Sequence, residues 1–125
     1  MSVTAMRAVH LVIDCADLDR ITSFWSRLLD LPVAVDSEPD WRDLAPLGTG
    51  GPVLSFQRVP DRKQDKNRLH LDFEVADLTR AAARTRALGA RPASSVHGAD
   101  RSRWQVWRDP EGNEFCLCEE GSPAS

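Results

Sequence analysis

Two of the chain's three histidines open nearly the same nine letters: HLVIDCADL from His10 to Leu18, and HLDFEVADL from His70 to Leu78. Imidazole is a frequent metal ligand and a base that titrates near neutrality. One imidazole from each copy of a duplicated segment therefore suggests a central site fed from both halves. Carboxylates travel with them, since Asp14, Asp72 and Glu74 share the alternation of the two histidines. The third histidine, His97 in SSVHGAD, reads as an exposed loop residue. Cys116 and Cys118 alternate along one stretch, too close to pair comfortably, and read as small reduced fillers of an interior. No glycine-rich phosphate loop and no Ser/His/Asp order is persuasive.

The elements that must carry these residues follow from the repeat. Shifting the chain by 60 aligns His10/His70, Leu11/Leu71, Ala16/Ala76, Asp17/Asp77, Leu18/Leu78, Arg20/Arg80, Leu28/Leu88 and Pro32/Pro92. Those are eight identities between residues 10 and 32, where chance supplies about one or two. Each copy changes period at the same place. Leu11, Ile13 and Cys15, then Leu71, Phe73 and Val75, recur every second residue, as in a strand with one apolar face. From Asp17 and Asp77 the spacing turns helical, through Leu18, Ile21, Trp25 and Leu28, and through Leu78, Ala81, Thr85 and Leu88. The two aspartates stand where an N-cap is wanted. Gly89 ends the second helix, and Pro32 and Pro92 restart extended chain. Short extended runs follow: 33–36, 41–47 and 53–59 in the first copy, 93–97, 102–109 and 114–119 in the second. DPEGN, Asp109 to Asn113, is a hairpin turn. Module one spans about residues 7–59, a polar linker 60–67, module two 68–119, and a flexible tail 120–125.

Each helix must cover one face of its sheet, so Leu11, Ile13, Leu54 and Phe56 point to it, as do Leu71, Phe73, Phe115 and Leu117. The opposite parity leaves Val53, Ser55 and Gln57, and Glu114, Cys116 and Cys118, on the other face. If the copies pair about a pseudo-twofold axis, His10 and His70 meet on a concave floor. Trp25 belongs to the helix stripe. Trp41 lines the mouth, where a flat ring suits a planar ligand. Trp104 and Trp107 have opposite parity, so one of them faces the cup. Arg42, Arg58, Arg103 and Arg108 are solvated by default, with a ligand carboxylate as the alternative.

Composition bounds the function. The chain has 125 residues, one domain's worth, and 42% hydrophobic against 28% charged residues excludes wholesale disorder. A net charge of -3, with the one cationic stretch at RKQDKNR interrupted by Asp65, argues against a nucleic-acid partner. No run reaches the roughly 18 apolar residues of a membrane span, and no signal peptide is evident. With an odd count of three cysteines, a cytoplasmic protein is expected.

The duplicated βαβββ pattern with His at the head of strands one and five, together with "FW" and "LLDLP" in the first helix, "NRLHLDFEV" and "DPEGNEFCL", resembles the vicinal oxygen chelate superfamily. That superfamily includes glyoxalase I, bleomycin-resistance proteins, fosfomycin-resistance thiol transferases and extradiol dioxygenases. The resemblance covers about residues 7–119, and its glyoxalase-like branch is the nearest. It implies an α+β fold: two tandem βαβββ modules forming an eight-stranded, cup-shaped mixed sheet, helices outside, often as a homodimer. It further implies one divalent metal in catalytic members, held by the first and last strands of both modules. His10 and His70 take the first-strand places. The glutamate usual four residues after the turn glycine is replaced by Cys116, and the matching place in module one falls near Ser55 or Gln57.

Two functions follow. In the enzyme, His10, His70 and Cys116 hold zinc, nickel, iron or manganese, the thiolate favouring zinc. Glu74 or Asp72 is the base, and lyase or isomerase chemistry on an oxygen-rich small molecule results. In the binding protein no metal is needed, and a planar cationic drug lies in an acidic, tryptophan-lined groove. Trp41, Ser55, Gln57 and Trp104 are the candidate ligand contacts in either case.

Overall fold

The computed structural model describes residues 7–60 and 69–119. They fall into two compact units, Met1–Asp61 and Arg62–Ser125. Of the linker expected at 60–67, residues 61–67 are outside the described residues, as is the tail 120–125.

In the first unit, β1 (His10–Cys15) leads into α1 (Leu18–Leu29), followed by β2 (Val33–Val35), β3 (Trp41–Leu44) and β4 (Val53–Arg58). The sheet order is β1-β4-β3-β2, with β1 and β4 parallel and the other neighbours antiparallel. The second unit repeats this with β5 (Leu71–Val75), α2 (Leu78–Ala87), β6 (Arg91–Pro92), β7 (Trp104–Arg108) and β8 (Glu114–Glu119), ordered β5-β8-β7-β6. The fold is α+β, built from two four-stranded mixed sheets and two helices.

Local chemistry explains the boundaries. Asp17 accepts the amide of Arg20 at 3.1 Å, and Asp77 accepts those of Thr79 and Arg80, so both helices start on carboxylate N-caps. The first helix stops at Asp30, which adopts φ 55° and lets the Leu31 amide return to the Ser26 carbonyl. The second ends before Gly89, whose φ of +112° only glycine adopts without strain. In the DPEGN turn, the buried Asp109 carboxylate accepts the Glu111 and Asn113 amides, both at 2.9 Å, while Gly112 takes φ 88°.

Strand alternation sorts the side chains as expected. In the first unit Leu44, Leu54 and Phe56 are fully buried with Ile21, Phe24 and Trp25 of α1. In the second, Trp107, Phe115 and Leu117 are buried with Leu78 of α2. Each such side chain contributes about 1.5–3 kcal/mol by leaving water. Phe73 and Phe115 meet edge to face at 6.2 Å. Trp107 pairs with Phe115 in the β7–β8 ladder and lies under the Arg86 guanidinium of α2, 5.5 Å from the ring centre. Trp107 therefore takes the helix face and Trp104 the opposite one.

One strand departs from expectation. Extended chain was expected over 93–97, yet β6 is Arg91–Pro92. The Ser94 hydroxyl captures the Val106 amide at 3.0 Å and the Ser94 carbonyl accepts Gln105 Nε2. Side-chain bonds thus replace the ladder there. His97 rejoins it as an isolated bridge to Trp104 and stacks on the Trp104 ring at 4.3 Å, so it is exposed but not a loose loop residue.

Candidate functional site

The strands of the first unit bring four polar side chains together on the sheet face away from α1. The register sets Val12 and Asp43 on either side of Ser55, and Trp41 beside Gln57. His10, two residues before Val12, shares that face. Trp41 Nε1–H and the Ser55 hydroxyl each donate to Asp43 Oδ1 at 2.6 Å. His10 Nδ1 lies 2.8 Å from the Ser55 oxygen and 3.9 Å from Asp43. The indole of Trp41 meets the imidazole edge to face at 5.9 Å.

Proton counting settles the direction of this relay. A serine hydroxyl has one hydrogen, and here it serves the carboxylate, so the Ser55 oxygen accepts from His10 Nδ1–H. The neutral ring then carries its free lone pair on Nε2. That nitrogen can take a metal ion or a proton. Ser55 is fully buried while His10 remains well exposed, so the relay is anchored inside and its reactive end is reachable.

Asp43 was not singled out from the sequence. Its signal was only parity, two residues beyond Trp41 on one strand, and its register counterpart in the second copy is Val106.

The second unit presents a different set on the face away from α2. Asp72 pairs with Cys116 and Glu74 with Cys118 across parallel strands, and Trp104 flanks Cys118 from β7. His70 directly precedes β5 with the same parity. Cys116 and Cys118 are buried and reduced, with Cys118 Sγ 3.6 Å from Cys116 Sγ. The donor atoms of Asp72, Cys116 and Cys118 all lie within 4.8 Å of one another. Asp72 and Glu74 are exposed. By register, Ser55 and Cys116 occupy corresponding places in the two sheets, which chooses Ser55 over Gln57 as the last-strand position of the first unit. His10 belongs to the first unit and His70 to the second.

The arginines divide. Arg42 donates to the carbonyls of Glu38 and Trp41, and lies 3.6 Å from Asp19 of α1. Arg58 pairs with Asp40 at 2.7 Å. Arg103 grips Glu119 through Nε and NH2, at 3.1 and 2.8 Å. The same carboxylate accepts the Leu78 and Arg103 amides. These bonds, the guanidinium's first, hold the Glu119 carboxyl down at about 2 from an ordinary 4.5.

Beside the relay lies an open groove of about 440 Å³, lined by Glu38, Pro39, Asp40, Trp41 and Gln57. It has an indole wall and two carboxylates, of which Asp40 is paired with Arg58. Among the described residues, no helix is long and apolar enough to cross a membrane.

The glyoxalase-like domain family model matches residues 10–118, and the chain belongs to that family. Solved structures agree on the fold. A glyoxalase/bleomycin resistance protein/dioxygenase family enzyme from Burkholderia phytofirmans PsJN has TM-score 0.74 and 17% identity, over 90% of this chain and 98% of its own. A glyoxalase/bleomycin resistance protein/dioxygenase from Nocardioides has TM-score 0.70 and 17% identity, over 99% and 91%. The fosfomycin resistance protein FosX from Listeria monocytogenes, complexed with Mn(II) and a dihydroxypropylphosphonic acid, has TM-score 0.70 and 16% identity, over 94% and 90%. No curated protein matches the chain.

Proposed function

We propose that this protein is a metal-dependent lyase or isomerase acting on a small, oxygen-rich metabolite, with His10 at the centre of its chemistry. The observation that carries the reading is the His10–Ser55–Asp43 relay. Metal-bound imidazoles characteristically donate their second N–H to a polar partner that fixes ring and tautomer, and Ser55 with Asp43 is arranged to do this.

The donors fit a borderline or soft divalent ion, zinc above all, because the last-strand place that would carry a carboxylate carries the Cys116 thiol. In the proposal His10 Nε2, His70 and Cys116 hold that ion, with nickel, iron or manganese as less suited occupants. When bound, the ion supplies Lewis acidity toward substrate oxygens. Asp72 or Glu74 accepts the proton from substrate carbon, both being exposed carboxylates on the face they share with Cys116 and Cys118. Ser55 and Asp43 keep the His10 ring from turning. Trp41, Gln57 and Trp104 offer two flat surfaces and an amide to orient the substrate. The working form is a homodimer in the reducing cytoplasm, which suits three unbridged thiols.

The test is metal content and turnover of protein purified without chelator. At least one ion per chain is expected, and His10→Ala and His70→Ala should each remove one ion together with the activity. Metal content near zero that zinc, nickel, iron and manganese all fail to restore would end this reading. Sedimentation at the mass of a single chain would remove the dimer.

A second reading has its own observation, the groove walled by Trp41. A planar cationic molecule would stack on the indole beside Glu38 and Asp40 without any metal. Trp41→Ala abolishing binding of such a dye, with His10→Ala harmless, would favour it.

A further inference from the structure

The structure assigns the second unit a thiophilic metal site of its own composition: Cys116, Cys118 and Asp72 as two thiolates and one carboxylate on a single cation of the zinc or cadmium class. The inference uses Cys116 as a metal ligand, as the proposed function does, and leaves Glu74 as that function's base, but it depends neither on His10 nor on any reaction.

Three observations support it. Two thiolates bound at about 2.3 Å to one tetrahedral ion must lie about 3.8 Å apart, and the two sulfurs already stand at 3.6 Å. Alternate residues of a strand share a face without their side-chain tips having to converge, so this spacing reflects the rotamers the two cysteines adopt. Second, the Asp72 carboxylate comes from the neighbouring strand, directly opposite Cys116 in the ladder, with its oxygen within 4.8 Å of both sulfurs. The donors therefore converge from two strands that a parallel ladder holds in fixed register. Third, burial differs across the set: the sulfurs are enclosed while Asp72 is exposed. An ion would enter past the carboxylate, and a fourth position would stay open toward it.

Binding replaces two S–H bonds with two metal–sulfur bonds and releases two protons to buffer. The donor set disfavours hard ions such as magnesium or manganese, which prefer all-oxygen surroundings. Filling an interior is the simpler task for a cysteine pair, but filling alone does not call for a carboxylate at the mouth. Cys15, the remaining thiol, belongs to the first unit, with its Sγ toward the Gln57 carbonyl.

The experiment is titration of the full-length, chelator-stripped chain with cobalt(II) and cadmium(II) alone, followed by near-ultraviolet sulfur-to-metal charge-transfer absorption and released protons. In His10→Ala protein, which lacks the ion of the proposed function, one ion per chain is expected, with the intensity of two thiolate bonds. Cys118→Ser should halve or abolish the band, and Asp72→Asn, at an exposed position that folding tolerates, should weaken affinity. A cobalt spectrum without sulfur charge transfer overturns the inference, as does a band that survives Cys118→Ser at full strength. If in either case the ion is lost with His10→Ala, the proposed function stands while this site falls.

Discussion

At one point of the ladder the two copies carry the same ion pair with the charges exchanged. Asp40 faces Arg58 in the first unit, and Arg103 faces Glu119 in the second. The backbone bond beneath is the same in both, Arg58 N to Asp40 O at 2.9 Å and Glu119 N to Arg103 O at 2.8 Å. The surroundings differ. Asp40 and Arg58 are both more than half exposed, whereas Glu119 is only 4% exposed and also binds the first amide of α2. One pair edges an open groove; the other ties a helix to its sheet. On the faces away from the helices the contrast repeats, with Ser55 and Asp43 answered by Cys116 and Val106. Duplication has kept the backbone and the helix-facing core, while the polar face has been rewritten into a proton relay in one copy and a sulfur cluster in the other.

That comparison can be broken at several depths. The largest loss is expected in the helix-facing core that each copy keeps. Phe56→Ala should cost about 3–5 kcal/mol, and Leu117→Ala, its register counterpart, about 2–5 kcal/mol. Urea unfolding checks both, and a cost under about 1 kcal/mol at either place would deny that each copy keeps its own helix-facing core.

Next comes the exchanged ion pair. Glu119 has a folded pKa below its ordinary value, so its contribution is fully present above pH 4.5 and is lost as pH falls toward about 2. Thermal midpoints of wild type and Glu119→Gln should therefore differ most near neutrality and converge in acid. Asp40→Asn, breaking the exposed pair, should change stability by about 0–1 kcal/mol at any pH. Equal effects of the two substitutions would show that burial does not separate the pairs.

The smallest effect concerns the caps. Asp17→Ala should cost about 1 kcal/mol. Asp77→Ala should cost less, because Glu119 still accepts the Leu78 amide at the start of α2. The reverse order would remove Glu119 from the helix.

Much of this architecture was legible in the residues. The 60-residue repeat, the period change at Asp17 and Asp77, and the DPEGN turn located both modules, and β8 begins and ends where alternation placed it. Parity also chose the right face for Ser55, Gln57, Asp72, Glu74 and Cys116. Parity alone could not say which of Trp104 and Trp107 faced the helix; that needed the β7–β8 register. Nor could it find Asp43, whose role depends on a hydroxyl on the neighbouring strand handing over its only hydrogen. The shift of β6 was hidden for a similar reason, because the Ser94 side chain took a bond that a backbone carbonyl would otherwise accept.

The central claim is that Ser55 and Asp43 hold His10 with its hydrogen on Nδ1 and a bare Nε2. Nitrogen-15 NMR of the imidazoles, above the pH at which they are protonated, reads this directly with no ligand or turnover needed. The account predicts the Nδ1–H form for His10, lost or mixed in Ser55→Ala and Asp43→Asn. A His10 ring carrying its hydrogen on Nε2 in the unaltered chain, or unmoved by both substitutions, would contradict it.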